Sequence, residues 1–372
     1  MRNLFWSVAL VCSVASCTPR GGSVADGFGD DGGGGDGSGA SGSGGFGAVG
    51  PSTGNGQHPD TSTNGPGSGP VGSGAGPSGG PSGSGGSPSS GPGAGPGAGG
   101  GNGCYYEAFT TTNISNIESS YSGAQWLNKM LATLEARYPN GHYLMDAMKT
   151  DPWLTGTFPS YFELGTFDGM IEAIDTACHE ESHGYDFEQA LSLPNKHLYY
   201  HGENQQITPP KLNFFARNEI LSLVQEGGSV TSNYDSTYLT GTQGSYDFIF
   251  LADELTAYIN GLACVTTVQD YVTQTTSYRD GAASHLYYLQ LYMRVARTEH
   301  ATLYNQWKSD AEWQKLVRFA WARGHYWTAQ ALDNPHLGIN DAAIWARINQ
   351  PENLAEIELF TGEDPASVAC NP

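Results

Sequence analysis

The chain has 372 residues, 37 of them acidic against 16 basic, for a formal net charge of −21. That balance excludes nucleic-acid binding, which needs Lys/Arg stripes against phosphate, and argues against adhesion to an anionic membrane face; a field of this sign attracts cationic substrates instead. Composition is uneven: residues 1–103 hold 36 of the 52 glycines, and residues 104–372 hold 32 acidic and 14 basic residues, net −18.

At the start, Met1-Arg2 precedes an apolar run from Leu4 to Val14. A short positive start, a brief apolar core and small residues mark a secretory signal, since a bilayer span takes about 20 apolar residues. The tetrapeptide Val14-Ala15-Ser16-Cys17 resembles the lipobox of bacterial lipoproteins. The resemblance implies cleavage before Cys17 and lipidation of that residue, with residues 1–17 as the signal; the alternative is a plain signal cut nearby. Thr18 stands where an aspartate retains such proteins at the inner membrane, so an outer-membrane anchor is expected, facing the periplasm or the outside. Residues 18–103, rich in Gly, Ser and Pro, lack the apolar side chains for a core and read as a disordered linker with an r.m.s. span of roughly 50 Å.

Residues 104–372 are long enough to bury one substantial core. Helical spacing of apolar residues predicts helices at 124–138, 166–190, 214–227, 249–266, 281–308, 310–323 and 340–349. Strand-like pieces are short: Tyr105–Thr112, His197–His201 and Tyr234–Thr240. The fold class is therefore mainly α with a few short strands. Cys104, Cys178, Cys264 and Cys370 are an even set, which in an exported domain favours disulfides. Of three pairings, Cys104–Cys370 is favoured because it clasps the two ends, leaving Cys178–Cys264.

The helix predicted at 166–190 carries His179-Glu180-Glu181-Ser182-His183. Two imidazoles four residues apart leave one side of a helix one turn apart, and both can reach one tetrahedral Zn²⁺. Glu180, rotated by roughly 100°, can take a proton from metal-activated water, the arrangement of metal-assisted hydrolysis. Chance placement gives only about 0.01 such runs per chain of this composition. Phe167, Met170, Ile171, Ile174, Ala177 and Cys178 recur at helical spacing and give the helix a face to bury.

A catalytic zinc takes three protein ligands and keeps one open position. Glu254 is the best third ligand, on a second periodic helix with Leu251, Leu255, Tyr258, Ile259 and Leu262; Asp253 and Asp247 are weaker substitutes, and an ordinary solvated acid is the bland alternative. A disulfide between Cys178 and Cys264 on these two helices raises a difficulty, because Cys264 lies about 15 Å along an ideal helix from Glu254 while Cys178 adjoins His179. Either the helices cross obliquely or Gly261 breaks the second one.

The motif's flanks resemble the longer zincin metallopeptidase pattern: Thr176 stands three before His179, and Ala177, Gly184 and Tyr185 fit. Glu181 departs from it, at a position ordinarily uncharged. Glu254-x-x-Ala257-Tyr258 resembles the glutamate helix of the gluzincin branch, and the resemblance covers only these two helices. It implies a zincin-like domain in which His179, His183 and Glu254 bind Zn²⁺ and Glu180 serves as general base in hydrolysing a peptide or protein substrate. For the developing oxyanion, Tyr258, His285, Tyr246 and Arg294 are candidates. Asp186, three after His183, could orient an imidazole or face solvent. His197 and His201 read as ordinary packed or surface histidines. The alternatives are a metal-dependent hydrolase of a non-protein amide, or a catalytically silent surface lipoprotein whose tyrosine-rich face binds a partner.

Overall fold

In this computed structural model, residues 104–370 are described; 70% of them are helical and 3% lie in strands, so the domain is mainly α. The expected signal, Cys17 and the 18–103 segment lie outside the described residues.

The helices of seven residues or more, in chain order, are α1 (Trp126–Arg137), α2 (Pro139–Met148), α3 (Phe167–Ala190), α4 (Ser232–Tyr238), α5 (Phe248–Thr266), α6 (Tyr278–Glu299), α7 (Ala301–Ser309), α8 (Ala311–Gln330), α9 (Asp341–Ile348) and α10 (Pro351–Thr361). One antiparallel ribbon joins β1 (Tyr199–Tyr200) to β2 (Gln206–Ile207), with Tyr199 opposite Ile207.

α3 and α5 form the centre, and α6 and α8 pack on α5. The Thr166 hydroxyl caps α3 by accepting from Gly169 N at 3.1 Å, and the Asp247 carboxylate caps α5 by accepting from Ile249 N at 3.0 Å. The predicted apolar stripe of α3, Met170, Ile171, Ile174, Ala177 and Cys178, is wholly buried. α5 is long and apolar enough by composition to cross a membrane, yet 83% of that window is buried inside the domain, as in a core helix.

Both favoured disulfides are present: Cys104–Cys370 joins the ends of the described domain, and Cys178–Cys264 joins α3 to α5. The second spans 86 residues of sequence, a constraint worth roughly 4–5 kcal/mol in the chain-entropy picture. Gly261 does not break α5. A Cβ there would lie 2.9 Å from the Asp175 carbonyl oxygen and 2.8 Å from its Oδ1, so the absence of a side chain lets the helices approach. α5 then meets α3 along two neighbouring stripes. Gly261 and Cys264 face Asp175 and Cys178, while Glu254 and Tyr258 face His179. That is how the disulfide and the Glu254 contact coexist.

The N-terminal segment is tied in by a fully buried ion pair, Arg323 Nε donating to Glu107 Oε2 at 2.9 Å. Glu107 also accepts from Trp327 Nε1 and Asn140 Nδ2, which meets the demand of its remaining lone pairs.

Several expectations change. Tyr234–Thr240, read as a strand from its Tyr and Thr content, lies largely in α4: Tyr234, Asp235, Tyr238 and Leu239 are buried, a helical spacing that overrides β propensity. Tyr105–Thr112 is extended but unpaired with any strand, and of His197–His201 only Tyr199–Tyr200 is strand. The predicted 281–308 helix is two helices parted at His300, whose ring stacks on Phe215 at 4.2 Å. The 214–227 helix shrinks to a 3-10 turn at Arg217–Ile220 and a short α-helix at Leu221–Gln225 before Gly227 and Gly228, both at positive φ.

Candidate metal centre

His179 and His183 project from one side of α3 toward Glu254 of α5. His179 Nε2 lies 3.2 Å from His183 Nε2, and Glu254 Oε2 lies 3.5 Å from each. A tetrahedral centre with bonds of about 2.0–2.1 Å has ligand–ligand edges of about 3.3–3.4 Å. The observed triangle has the size of one face of such a centre. Among the described residues Glu254 Oε2 has no hydrogen-bond partner although it is buried. Nitrogen and oxygen atoms gathered at one point in this way form a set that could hold a metal ion.

The electrostatics agree. Burial would push Glu254 up, but His183 and His179 hold it well below the usual carboxylate range. Burial holds His179 below the usual imidazole value, against the pull of Glu254. Burial alone would lower His183, yet Asp253 and Glu254 carry it well above that value. The two carboxylates therefore favour a cation here, and a metal ion would compete with a proton for His183.

His183 Nδ1 lies 2.8 Å from Asp253 Oδ2. This is the outer partner that fixes a ligating imidazole's orientation and raises its basicity. Sequence reasoning weighed Asp253 only as a substitute ligand and gave the orienting role to Asp186. Instead Asp186 is buried and its Oδ1 accepts from Tyr200 N at 2.8 Å, so it anchors β1 to α3. The signal was available: Asp253 precedes Glu254, about 100° round α5, on the flank where the other nitrogen of His183 points. An Asp253→Asn chain is expected to bind zinc roughly 10–100-fold more weakly, measured by competition with a chromophoric chelator; unchanged affinity would remove that role from Asp253.

The rest of the motif is built into the core. Ser182 Oγ accepts from Asn260 Nδ2 at 3.0 Å, and Asn260 Oδ1 accepts from Arg323 Nη1 at 2.9 Å. Glu181 is fully buried. Burial, with the carboxylates of Asp151, Glu180 and Glu188 nearby, pushes it well above the carboxylate range. Both influences disfavour a charge on Glu181 beside the histidines. Glu180 is buried in the same turn as His179.

Tyr258, one turn after Glu254, sets its ring edge-on to His179 at 4.4 Å, and its hydroxyl lies 2.7 Å from that of Tyr238. His285 of α6 stacks on Tyr258 at 4.6 Å. Its Nδ1 lies 2.9 Å from the Gly281 carbonyl, which can only accept, so Nδ1 carries the proton. Burial holds His285 down to about 4, so at neutral pH Nε2 is bare and cannot donate to an oxyanion. Arg294 is bound to Glu352 O and Asn353 Oδ1 at the other end of α6, and Tyr246 stacks on Phe250. His201 is fully buried beside Arg323.

A cleft of about 360 Å³ opens beside His183 and Asp253. Phe187, Leu191, Ile249 and Phe250 give it apolar walls, and Lys196, His197 and Lys211 also line it. His179, Glu180 and Glu254 are buried and do not line the cleft, so His183 is the member of the triangle that faces it. No family model, no curated protein and no solved structure matches this chain.

Proposed function

We propose that this protein is a zinc-dependent amide hydrolase of the zincin type, acting on peptide bonds. The observation that carries the reading is the triangle of His179 Nε2, His183 Nε2 and Glu254 Oε2, sized for one tetrahedral ion and containing a buried oxygen with no hydrogen-bond partner. Two neutral imidazoles and one carboxylate leave a divalent ion a net positive charge, so the ion would supply Lewis acidity toward a carbonyl and toward water. Asp253 orients His183, and the Tyr258 ring limits the rotation of His179.

Glu180 takes the proton of the attacking water and returns it to the leaving amine. Tyr258 is the hydroxyl we assign to the developing oxyanion: its ring meets His179 edge-on at 4.4 Å, and its oxygen lies 2.7 Å from that of Tyr238. Export fits the two disulfides, which persist in oxidising compartments. A lipid anchor at Cys17 would tether the protein to a membrane.

The test is metal content and its link to turnover. The purified chain is expected to carry one zinc, to hydrolyse a mixture of unstructured peptides, and to stop when a chelator strips the metal. A metal-free chain that cleaves equally well ends the reading.

A further inference from the structure

We infer that the cleft beside His183 is a subsite for an acidic peptide segment: an apolar side chain against Phe187, Leu191, Ile249 and Phe250, and a carboxylate between Lys196 and Lys211. The inference deepens the peptidase reading and rests on it for the cleft's place beside the reacting centre.

The first argument is charge. Residues 104–372 carry net −18, and their 14 Lys and Arg residues are a scarce resource. Among the described residues, eleven of these side chains hydrogen-bond or ion-pair with protein groups. Lys196, Lys211 and Lys315 are the remaining three. Two of the three line one cleft, and that cleft is the one touching the proposed metal centre. Within a field that attracts cations, these two lysines offer an anion a local partner.

The second argument is placement. Lys196 pairs with Pro210 in an isolated antiparallel bridge, and Lys211 N donates to Asn195 O at 3.0 Å. The two stretches are therefore fixed to each other, and both lysines are held at the cleft by backbone hydrogen bonds. The acids in the same wall do not compete for them. Asp253 is engaged by His183 Nδ1 and Asp186 by Tyr200 N. His197, between the lysines in sequence, has Nε2 without a partner and offers a further polar group to a bound segment.

The experiment is affinity selection read by mass spectrometry. The full chain with Glu180→Gln, incubated with zinc so that ligands are not destroyed, is exposed to equimolar hexapeptides, one pool with free carboxyl termini and one amidated. Peptides with a carboxylate near Leu or Phe are expected to be retained roughly three- to tenfold over their amide counterparts, as two exposed ion pairs allow, and the preference should fade in 1 M salt. Enrichment in both pools assigns the carboxylate to Asp or Glu side chains; enrichment in the free-acid pool alone assigns it to the chain terminus. Adding Lys196→Gln and Lys211→Gln should abolish the preference without changing zinc content. Equal retention of acidic and amide peptides, or a preference that survives both lysine changes, overturns the inference. Failure here and failure of the peptidase reading are separable. A chain that selects acidic peptides but, with Glu180 restored, cleaves none keeps the subsite and loses the peptidase; one that cleaves peptides without acid preference does the opposite.

Discussion

Replacing Glu180 by Gln is expected to lower peptide hydrolysis by roughly 10²–10⁴-fold while leaving bound zinc at one per chain. The substitution is nearly isosteric, which matters because Glu180 is buried in the turn that carries His179. An amide cannot accept a proton from water at neutral pH, so the general base is lost, whereas the three ligand candidates are untouched. The two readouts must therefore part: turnover falls and metal stays. Equal loss of both would mean that Glu180 holds the helix together, and unchanged turnover would remove the proposed chemistry altogether.

The second large effect is on stability. An ion that binds only the folded chain stabilises it by about 4.1 kcal/mol when its free concentration is 1,000 times the dissociation constant. For a domain of this size 1 kcal/mol moves the melting temperature by roughly 2–4 °C. Zinc is thus expected to raise the melting temperature by roughly 8–16 °C in differential scanning calorimetry. A Glu254→Gln chain, which keeps the side-chain shape but offers a neutral amide oxygen, should show only a small part of that rise. The Glu180→Gln chain should show all of it. If zinc moves none of the three chains, the triangle of His179, His183 and Glu254 is not a metal site, whatever its dimensions.

The parts of the molecule legible in sequence are those where one physical rule acts alone. α3 and α5 announce themselves because their apolar residues keep helical spacing over about three turns, and the convergence of Glu254 with the two histidines follows from packing those faces together. Elsewhere two rules compete. At Tyr234–Thr240 the residue types favour a strand while the burial pattern is helical, and burial wins because α4 packs its tyrosines against Tyr258 and His285. At His300 the periodicity runs on, but stacking on Phe215 and the 2.9 Å contact with Glu219 hold the backbone out of helix. α2 was invisible because it begins at Pro139, with only Tyr138 between it and α1, where proline reads as a stop although it is also a natural first helical residue. The orienting role of Asp253 and the two cleft lysines depend on which faces meet, and one-dimensional spacing does not contain that.

Gly261 has a reach its size does not suggest. It sits two turns along α5 from Glu254, and its contact Asp175 is one turn along α3 from His179. A single methyl group there would act as a wedge, driven against Asp175 Oδ1 at 2.8 Å, which can turn away, and against the Asp175 carbonyl oxygen at 2.9 Å, which as backbone cannot. The resulting separation of a few tenths of an ångström matches the whole tolerance of a metal–ligand bond, about 0.2 Å. The most fragile point of the proposed chemistry is therefore a residue with no functional group at all.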